Sequence, residues 1–216
     1  LSCAPGMLAD HRTWGEDPEQ ILNQVFDLGP GPWFVKPNCG GSSLGVARTE
    51  GAGELREAIG ATIDLGQEAL VEREIVGLEV SDGVLGGTSA TGLVALPLCE
   101  ILPDKGRYFD YHQKYDGSGA KELCPPEHTP PEQAAEVEAM SRTAFKALGC
   151  EGYGRIDFIL PAVGGAPVFL EANTLPGMTE RSLFPLAAQA KGADMGSLCL
   201  EILAQGLASS TGRCSP

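Results

Sequence analysis

No Cys-x-x-Cys pair occurs in the sequence, no glycine-rich loop ends in Gly-Lys-Ser/Thr, and no apolar run approaches the length of a membrane span. The first absence argues against zinc and thioredoxin-like sites, the second against a Walker P-loop, the third against a helical membrane anchor. No Gly-x-Gly-x-x-Gly opens a helix after a strand, so the dinucleotide fingerprint is missing too. Positive charge is scarce: 15 Lys and Arg stand against 29 Asp and Glu, giving a formal charge of −14 and a pI near 4.5. Such a surface repels phosphodiester backbones and anionic bilayers, so neither nucleic acid nor membrane is expected as a partner. The few basic residues that remain therefore draw attention. Repeats, low-complexity tracts and a signal peptide are also missing. An odd number of cysteines, seven, then implies reduced thiols and a cytoplasmic protein. Because the chain opens on Leu1 without an initiator Met, a domain excised from a longer product is expected.

What is present is a chain of 216 residues, 43% hydrophobic, enough for one core or two small ones packed together. Asp17-Pro18-Glu19-Gln20 combines an N-cap, a proline at the first helical position and a Gln three residues after the cap; Ile21, Leu22, Val25 and Phe26 follow at helical spacing, and Gly29 stops the helix. Short strands are expected at 33–36, 46–48 and 69–73, with an amphipathic helix over 54–63 carrying Leu55, Ile59 and Ile63. Residues 79–101 read as strand and turn, and 102–126 as a long functional loop. Thr129-Pro130-Pro131-Glu132 reads as a second capping box, opening a helix with Val137, Met140, Ala144 and Leu148 on one face and Gly149 at its stop. Strands over 152–160 and 168–173 flank a turn, and Asp194 is the expected cap of a last helix carrying Leu198, Ile202 and Leu203.

The late hairpin carries the most chemistry. Side chains two apart in a strand share a face, so Arg155 points with Asp157 and Glu171 with Asn173. Pairing of the two strands would gather two carboxylates and an amide oxygen, the all-oxygen ligand set that Mg2+ or Mn2+ takes when phosphates complete the shell, with Arg155 adding positive charge beside it. An exposed sheet face of alternating charge is the competing reading. It is weakened by the apolar Ile156, Phe158, Leu170 and Ala172 in between and by the turn 174–179 that follows directly.

Two further signals sit elsewhere. The small-residue loop 38–45, with Ser42 and Ser43, could bring backbone N–H groups and hydroxyls close to phosphate, or be no more than a hairpin tip. Lys36, at the end of the preceding strand, favours phosphate because its ammonium could reach the same oxygens. Tyr108 to Tyr115 is basic and aromatic within an acidic chain. Lys114 there could stabilise a transferring phosphoryl group, or lie exposed in a packed loop.

Taken together and in order, Lys36-Pro37, the loop 40–45, Val71-Glu72-Arg73-Glu74-Ile75 with Gly77 and Glu79, the stretch 108–115, Gly154-Arg155-Ile156-Asp157 and the stretch 171–179 resemble the motif series of D-alanine–D-alanine ligases, over nearly the whole chain. The resemblance implies an α+β ATP-grasp fold, two lobes with antiparallel sheets enclosing the nucleotide, here a small central lobe over 1–74 and a large catalytic lobe over 75–216. An amino-terminal substrate domain would be absent, so the chain alone is expected to bind Mg-ATP weakly and to make little dipeptide. The implied reaction is ATP-dependent joining of two D-alanines through an acylphosphate, for peptidoglycan. Carried over by position, Lys36 and Lys114 would contact the phosphates and Ser43 the glycine-rich loop's ATP side. Glu72, Arg73, Glu74 and Ile75 would border the adenine, and Glu79 would hold the ribose. Asp157, Glu171 and Asn173 would ligate two Mg2+ (or Mn2+) ions. Arg155 and the Gly177 N–H would stabilise the oxyanion, Ser42 and Tyr115 would close the loops, and Ser182 and Leu183 would lie near the second D-alanine. Another carboxylate–amine pair, or a nucleotide-binding module without catalysis, stays open, as does the oligomeric state, a homodimer included. Two departures stand out: Glu74, at a position usually apolar or aromatic, and Asp82, within an otherwise packed strand.

Overall fold

The computed structural model describes residues 1–40, 44–86, 92–102 and 121–211, with the backbone alone for 208–211. Ser42, Ser43, Lys114 and Tyr115, and with them the stretches 41–43 and 103–120, lie outside the described residues. Contacts divide the chain into two compact units, Ala4–Ile75 in one and Leu1–Cys3, Val76–Leu102 and the residues from Lys121 onward in the other. Leu1–Cys3 group with the larger unit because β1 (Ser2–Cys3) pairs in parallel with its β11 (Val168–Asn173).

The smaller unit is a four-stranded sheet in the order β2 (Gly6–Ala9), β5 (Ala69–Arg73), β3 (Trp33–Pro37), β4 (Ala47–Thr49), covered by helices. Asp10 caps the short α1 (His11–Glu16), an element with no legible sequence signal, by accepting from the N–H groups of Arg12 and Thr13. Asp17 caps α2 (Pro18–Asp27) through the N–H of Gln20, and Pro18 supplies the preset φ of a first helical residue. Ile21, Leu22 and Val25 of α2 meet Leu55, Ile59 and Ile63 of α3 (Ala52–Asp64) over Trp33, Val35, Ala69 and Val71 from the sheet. The alternation of buried and half-buried residues along β3 and β5 puts those four on the helix side. Leu55 and Ile59 are fully buried, so truncating either to Ala would cost about 2–5 kcal/mol.

The larger unit is built on a sheet ordered β1, β11, β10 (Tyr153–Pro161), β6 (Gly77–Gly86), β8 (Cys99–Leu102), β9 (Lys121–Leu123), with β7 (Leu93–Ala95) also on β6. Val80, Val84, Ile156, Phe158 and Leu160 face Val137, Ala144 and Phe145 of α4 (Pro131–Ala147). Gly77 opens β6 where a Cβ would run into the Leu160 carbonyl across the ladder, so a side chain there would force the strands apart. The expected capping box at the start of α4 is not formed. Pro130 is the N-cap, no side chain caps the helix, and the Thr129 hydroxyl donates instead to the Glu100 carboxylate. The remaining helices are α5 (Leu183–Ala190) and α6 (Met195–Thr211), the latter begun at Asp194, which accepts from the Ser197 N–H. No helix among the described residues is long and apolar enough to cross a membrane.

Two buried carboxylates in this unit have opposite fates. Glu100 is fully buried beneath the approach to α4, where it accepts from the N–H groups of Glu127, His128 and Thr129, the Thr129 hydroxyl and the His128 ring. Burial works against its charge, but the bonds from His128 and Thr129 outweigh it and hold the pKa at about 2. Asp82 alternates with Val80 and Val84 on the α4 side of β6, is fully buried, and has no hydrogen-bond partner for either oxygen. Desolvation pushes its pKa up to about 8; Glu138 adds to the shift, while Ser141, Arg142 and Lys191 oppose it. The carboxyl is therefore held largely as the neutral acid at neutral pH.

Opposite pH responses follow. Asp82 has a folded pKa above its ordinary 3.8, so its contribution is complete below that value and is lost as pH rises to about 8, at up to about 1.4 kcal/mol per unit. Asp82→Val is expected to raise the thermal midpoint at pH 8 and to lose that advantage on acidification toward pH 5; a difference independent of pH would contradict the assignment. Glu100 has a folded pKa below its ordinary 4.5, so its contribution is present above that value and lost as pH falls toward about 2. Glu100→Gln is expected to cost about 2–3 kcal/mol at pH 7, read by urea unfolding, and much less near pH 2; equal stability at pH 7 would refute it.

Candidate functional site

In the smaller unit the predicted nucleotide residues fall on two adjacent strands. Lys36 lies on β3 and Glu72 on β5, in antiparallel register with Phe34 opposite Glu72, and the Lys36 ammonium meets the Glu72 carboxylate at 2.7 Å. Both are only partly exposed. Arg73 lies opposite Trp33 and takes its backbone N–H to the Pro5 carbonyl, which fixes the strand end. Glu74 is anchored twice, by its N–H to the Pro32 carbonyl and by its carboxylate to Nε and Nη2 of Arg48 at 2.8 and 3.0 Å. The hydrogen bonds that Arg48 donates to Glu74 and then to Glu50 hold its guanidinium still more firmly protonated than usual. The charge at position 74 is thereby neutralised by a neighbour from β4, which explains how an acidic residue stands where an apolar one was expected. Ile75 follows, half-buried, at the end of this unit.

In the larger unit the hairpin β10–β11 assembles as its alternation predicted. Asp157 lies opposite Glu171, and Arg155 opposite Asn173. On the other side of β10, Ser81 of β6 lies opposite Asp157. The Asp157 carboxylate is bonded on both oxygens: Oδ1 accepts from Ser81 Oγ at 2.6 Å and Arg155 Nε at 2.9 Å, and Oδ2 from Arg155 Nη2 at 2.8 Å, Asn173 Nδ2 at 2.9 Å and, more weakly, Arg155 Nε at 3.3 Å. The same Asn173 amide nitrogen donates to Glu171 Oε1 at 3.0 Å. The Asp157 side chain is 5% exposed, whereas Glu171 is open to solvent. Burial works against the charge of Arg155, yet Asp157 first, and then Glu171 and Glu79, raise its pKa above the ordinary arginine value. One guanidinium thus stands in the field of three carboxylates. Ser81 was not anticipated. Its signal was the alternation of β6, two residues after Glu79 on the same face, but a serine in a strand is too common to single out.

The third cluster is the turn after β11. The Ser182 hydroxyl accepts from the Thr179 N–H at 3.1 Å and lies 2.9 Å from the Thr179 hydroxyl. A Cβ at position 177 would come within 2.8 Å of that hydroxyl, so glycine is what lets the turn close on Ser182. Ser182 is the N-cap residue of α5 but makes no side-chain cap bond, since its hydroxyl serves the turn instead. Leu183 is buried and starts the helix. Lys36 and the stretch 72–75 thus belong to one unit, and Glu79, Arg155, Asp157, Glu171, Asn173, Gly177, Ser182 and Leu183 to the other.

Among the described residues no group of three His, Cys, Asp or Glu is placed to hold a metal ion. The hairpin nevertheless suits a hard cation, because its third donor is an amide. Two carboxylates on facing positions already share one Asn173 nitrogen, and turning that amide over would present its oxygen to the same place as theirs.

A family model described as D-ala D-ala ligase C-terminus matches residues 1–204. The chain belongs to that family. D-alanine–D-alanine ligase of Maridesulfovibrio salexigens is 41% identical over 180 residues, 83% of this chain and 57% of the relative. That of Nitratidesulfovibrio vulgaris is 44% identical over 176 residues, 82% of this chain and 55% of the relative. Among solved structures, the VanG D-Ala:D-Ser ligase from Enterococcus faecalis superposes with a TM-score of 0.80 at 28% identity, covering 95% of this chain and 57% of that one. D-alanine–D-alanine ligase from Bacillus anthracis superposes at 0.77 with 30% identity, covering 96% and 62%, and its complex with ATP at 0.72 with 27%. The chain spans a little over half the length of the curated relatives it matches. Its fold is that of the ATP-grasp ligases, as the ordered motifs implied.

Proposed function

We propose that this chain is the nucleotide- and metal-binding part of an ATP-dependent ligase that phosphorylates the carboxylate of one D-alanine and joins it to the amine of a second. The observation that carries the reading is the hairpin: two carboxylates and an amide on facing positions, with a guanidinium bonded to the buried one. Family membership and the ATP complex of a similar structure support it. Asp157, Glu171 and Asn173 are the residues that would hold Mg2+ or Mn2+, ions that neutralise phosphate charge and polarise the transferring phosphoryl group when bound. Arg155 is placed by Asp157 so that its charge is fixed in orientation, and with the Gly177 N–H it would stabilise the oxyanion formed when the amine attacks. Orientation by a buried partner matters, because a guanidinium already locked in place needs no reorganisation as charge develops.

Lys36 is assigned to the phosphates, with Glu72 as the counter-charge that holds its ammonium until a triphosphate replaces it. Glu72 to Ile75 would border the adenine, their backbone fixed by the bonds of Arg73 and Glu74 to Pro5 and Pro32. Glu79 would take the ribose hydroxyls, Ser182 and Leu183 would lie near the second amino acid, and Ser42, Ser43, Lys114 and Tyr115 would complete the phosphate and loop-closing contacts. The small lobe would end at Glu74 and the large catalytic lobe would begin at Ile75. A different second substrate is favoured by one observation, the equally good superposition on a D-Ala:D-Ser ligase.

Calorimetric titration with Mg-ATP is expected to show weak binding that Lys36→Ala lowers about tenfold or more, as loss of a charge-assisted phosphate contact should. Phosphate release with D-alanine is expected only when the amino-terminal portion of a related ligase is supplied. Release driven by another amine would shift the assignment to that product, and Mg-ATP binding without any amino-acid-dependent release would leave a nucleotide-binding module in its place.

A further inference from the structure

The row of side chains that runs across the larger sheet through Asp157 does not end at Ser81. Ser81 lies opposite Cys99 of β8. The β8–β9 ladder, with Glu100 opposite Leu123 and Ile101 opposite Glu122, ends one step before Cys99 and Cys124, and extending its register by one pair would set the two cysteines opposite each other. Residues directly opposite one another share a face, so Glu171, Asp157, Ser81, Cys99 and Cys124 form one transverse row. The two sulfurs converge. Sγ of Cys99 and Sγ of Cys124 lie 4.0 and 3.7 Å from the same carbonyl oxygen, that of Pro97. Neither is in a disulfide.

The two thiols are unequal. Cys99 is 1% exposed, with its sulfur 3.6 Å from the Leu183 carbonyl, while Cys124 is only half-buried. Their contact raises the pKa of Cys99, with burial adding to it, and lowers that of Cys124. A half-buried sulfur beside a fully buried one is the division of labour of an attacking and a resolving cysteine. Directly opposed positions in an antiparallel pair also have the Cα separation, about 4.5–5.5 Å, that a disulfide spans without moving the backbone.

We propose that Cys99 and Cys124 are a thiol–disulfide exchange site, converted to a cross-strand disulfide by low-molecular-weight disulfides such as oxidised glutathione. The Cys124 thiolate attacks one sulfur of the small disulfide and releases one small thiolate, leaving a mixed disulfide. Cys99 then yields its proton to that thiolate, and its sulfur attacks the Cys124 sulfur and expels the second small thiolate, which takes a proton from water. Two protein thiols are oxidised, and one small disulfide is reduced to two small thiols. The bond closes residues 100–123 into a ring and withdraws the Cys99 S–H from the Leu183 carbonyl. The proposal does not depend on the ligase reading.

The site is tested on the folded chain by incubation with oxidised glutathione, alkylation of the remaining thiols and tryptic digestion. Cleavage after Arg73, Lys105, Lys121 and Arg142 leaves Cys99 alone in one peptide and Cys124 alone in another. The expected product is these two peptides joined, two hydrogens lighter than their sum and separated by dithiothreitol. Cys99→Ser should trap Cys124 as a stable glutathione adduct, and Cys124→Ser should slow oxidation of Cys99 at least tenfold. Circular dichroism reports whether each variant is folded, and the parent chain decides alone if one is not. Separate glutathione adducts on the two cysteines, or adducts on Cys3, Cys39 and Cys199 with Cys99 and Cys124 left as thiols, would overturn the proposal.

Discussion

Asp157 holds a carboxylate on a side chain almost closed to water, in the middle of a sheet, and is tolerated there because five hydrogen bonds from three side chains reach its two oxygens. Each of those side chains comes from a different place in the pattern: Arg155 from the same strand two residues earlier, Ser81 from β6 on one side, Asn173 from β11 on the other. Register sets all three. A slip of one residue in either ladder would send Asp157 or its partners to the opposite face, into the packing of Val80, Ile156 and Phe158 against α4. The apolar face of the sheet and its charged face are therefore one constraint, since whatever fixes the first aligns the second.

The contrast between Glu100 and Asp82 shows how the same residue class serves different ends within a single unit. Glu100 is buried with its oxygens saturated and remains ionised; it joins β8 to the segment that leads into α4. Asp82 is buried with nothing to accept from and is driven toward the neutral acid. Only the partners differ. Asp157, like Glu100, has both oxygens hydrogen-bonded, and its Arg155 partner is a guanidinium bonded directly to it, which Asp82 does not have.

Much of this was legible in the sequence. Period-two alternation placed Arg155 with Asp157 and Glu171 with Asn173, the apolar spacing of Leu55, Ile59 and Ile63 located α3, and proline, glycine and aspartate punctuation located α2 and the hairpin within a residue or two. Asp82 was legible as an anomaly because a carboxylate interrupted an apolar strand, and burial is what the structure found there. What could not be read depended on contacts between distant segments. Thr129 has the chemistry of an N-cap, but a buried carboxylate from β8 takes its hydroxyl. Ser81 and Cys99 matter only because of what lies opposite them, and α1 and β1 are too short to leave a periodic signal. Glu74 was anomalous by family pattern, and its explanation, Arg48, lies on a neighbouring strand.

The claim on which the functional reading rests is that the exposed end of the row, Glu171, acts with Asp157 and Asn173 on a divalent cation held beside a triphosphate. Paramagnetic titration of Mn2+ in the presence of ATP measures this directly. Because Glu171 is solvent-exposed, Glu171→Gln should leave the fold and its thermal midpoint unchanged while weakening ATP-dependent Mn2+ binding about tenfold or more, the loss of one anionic ligand. Mn2+ bound equally well by the parent and the variant would contradict the account.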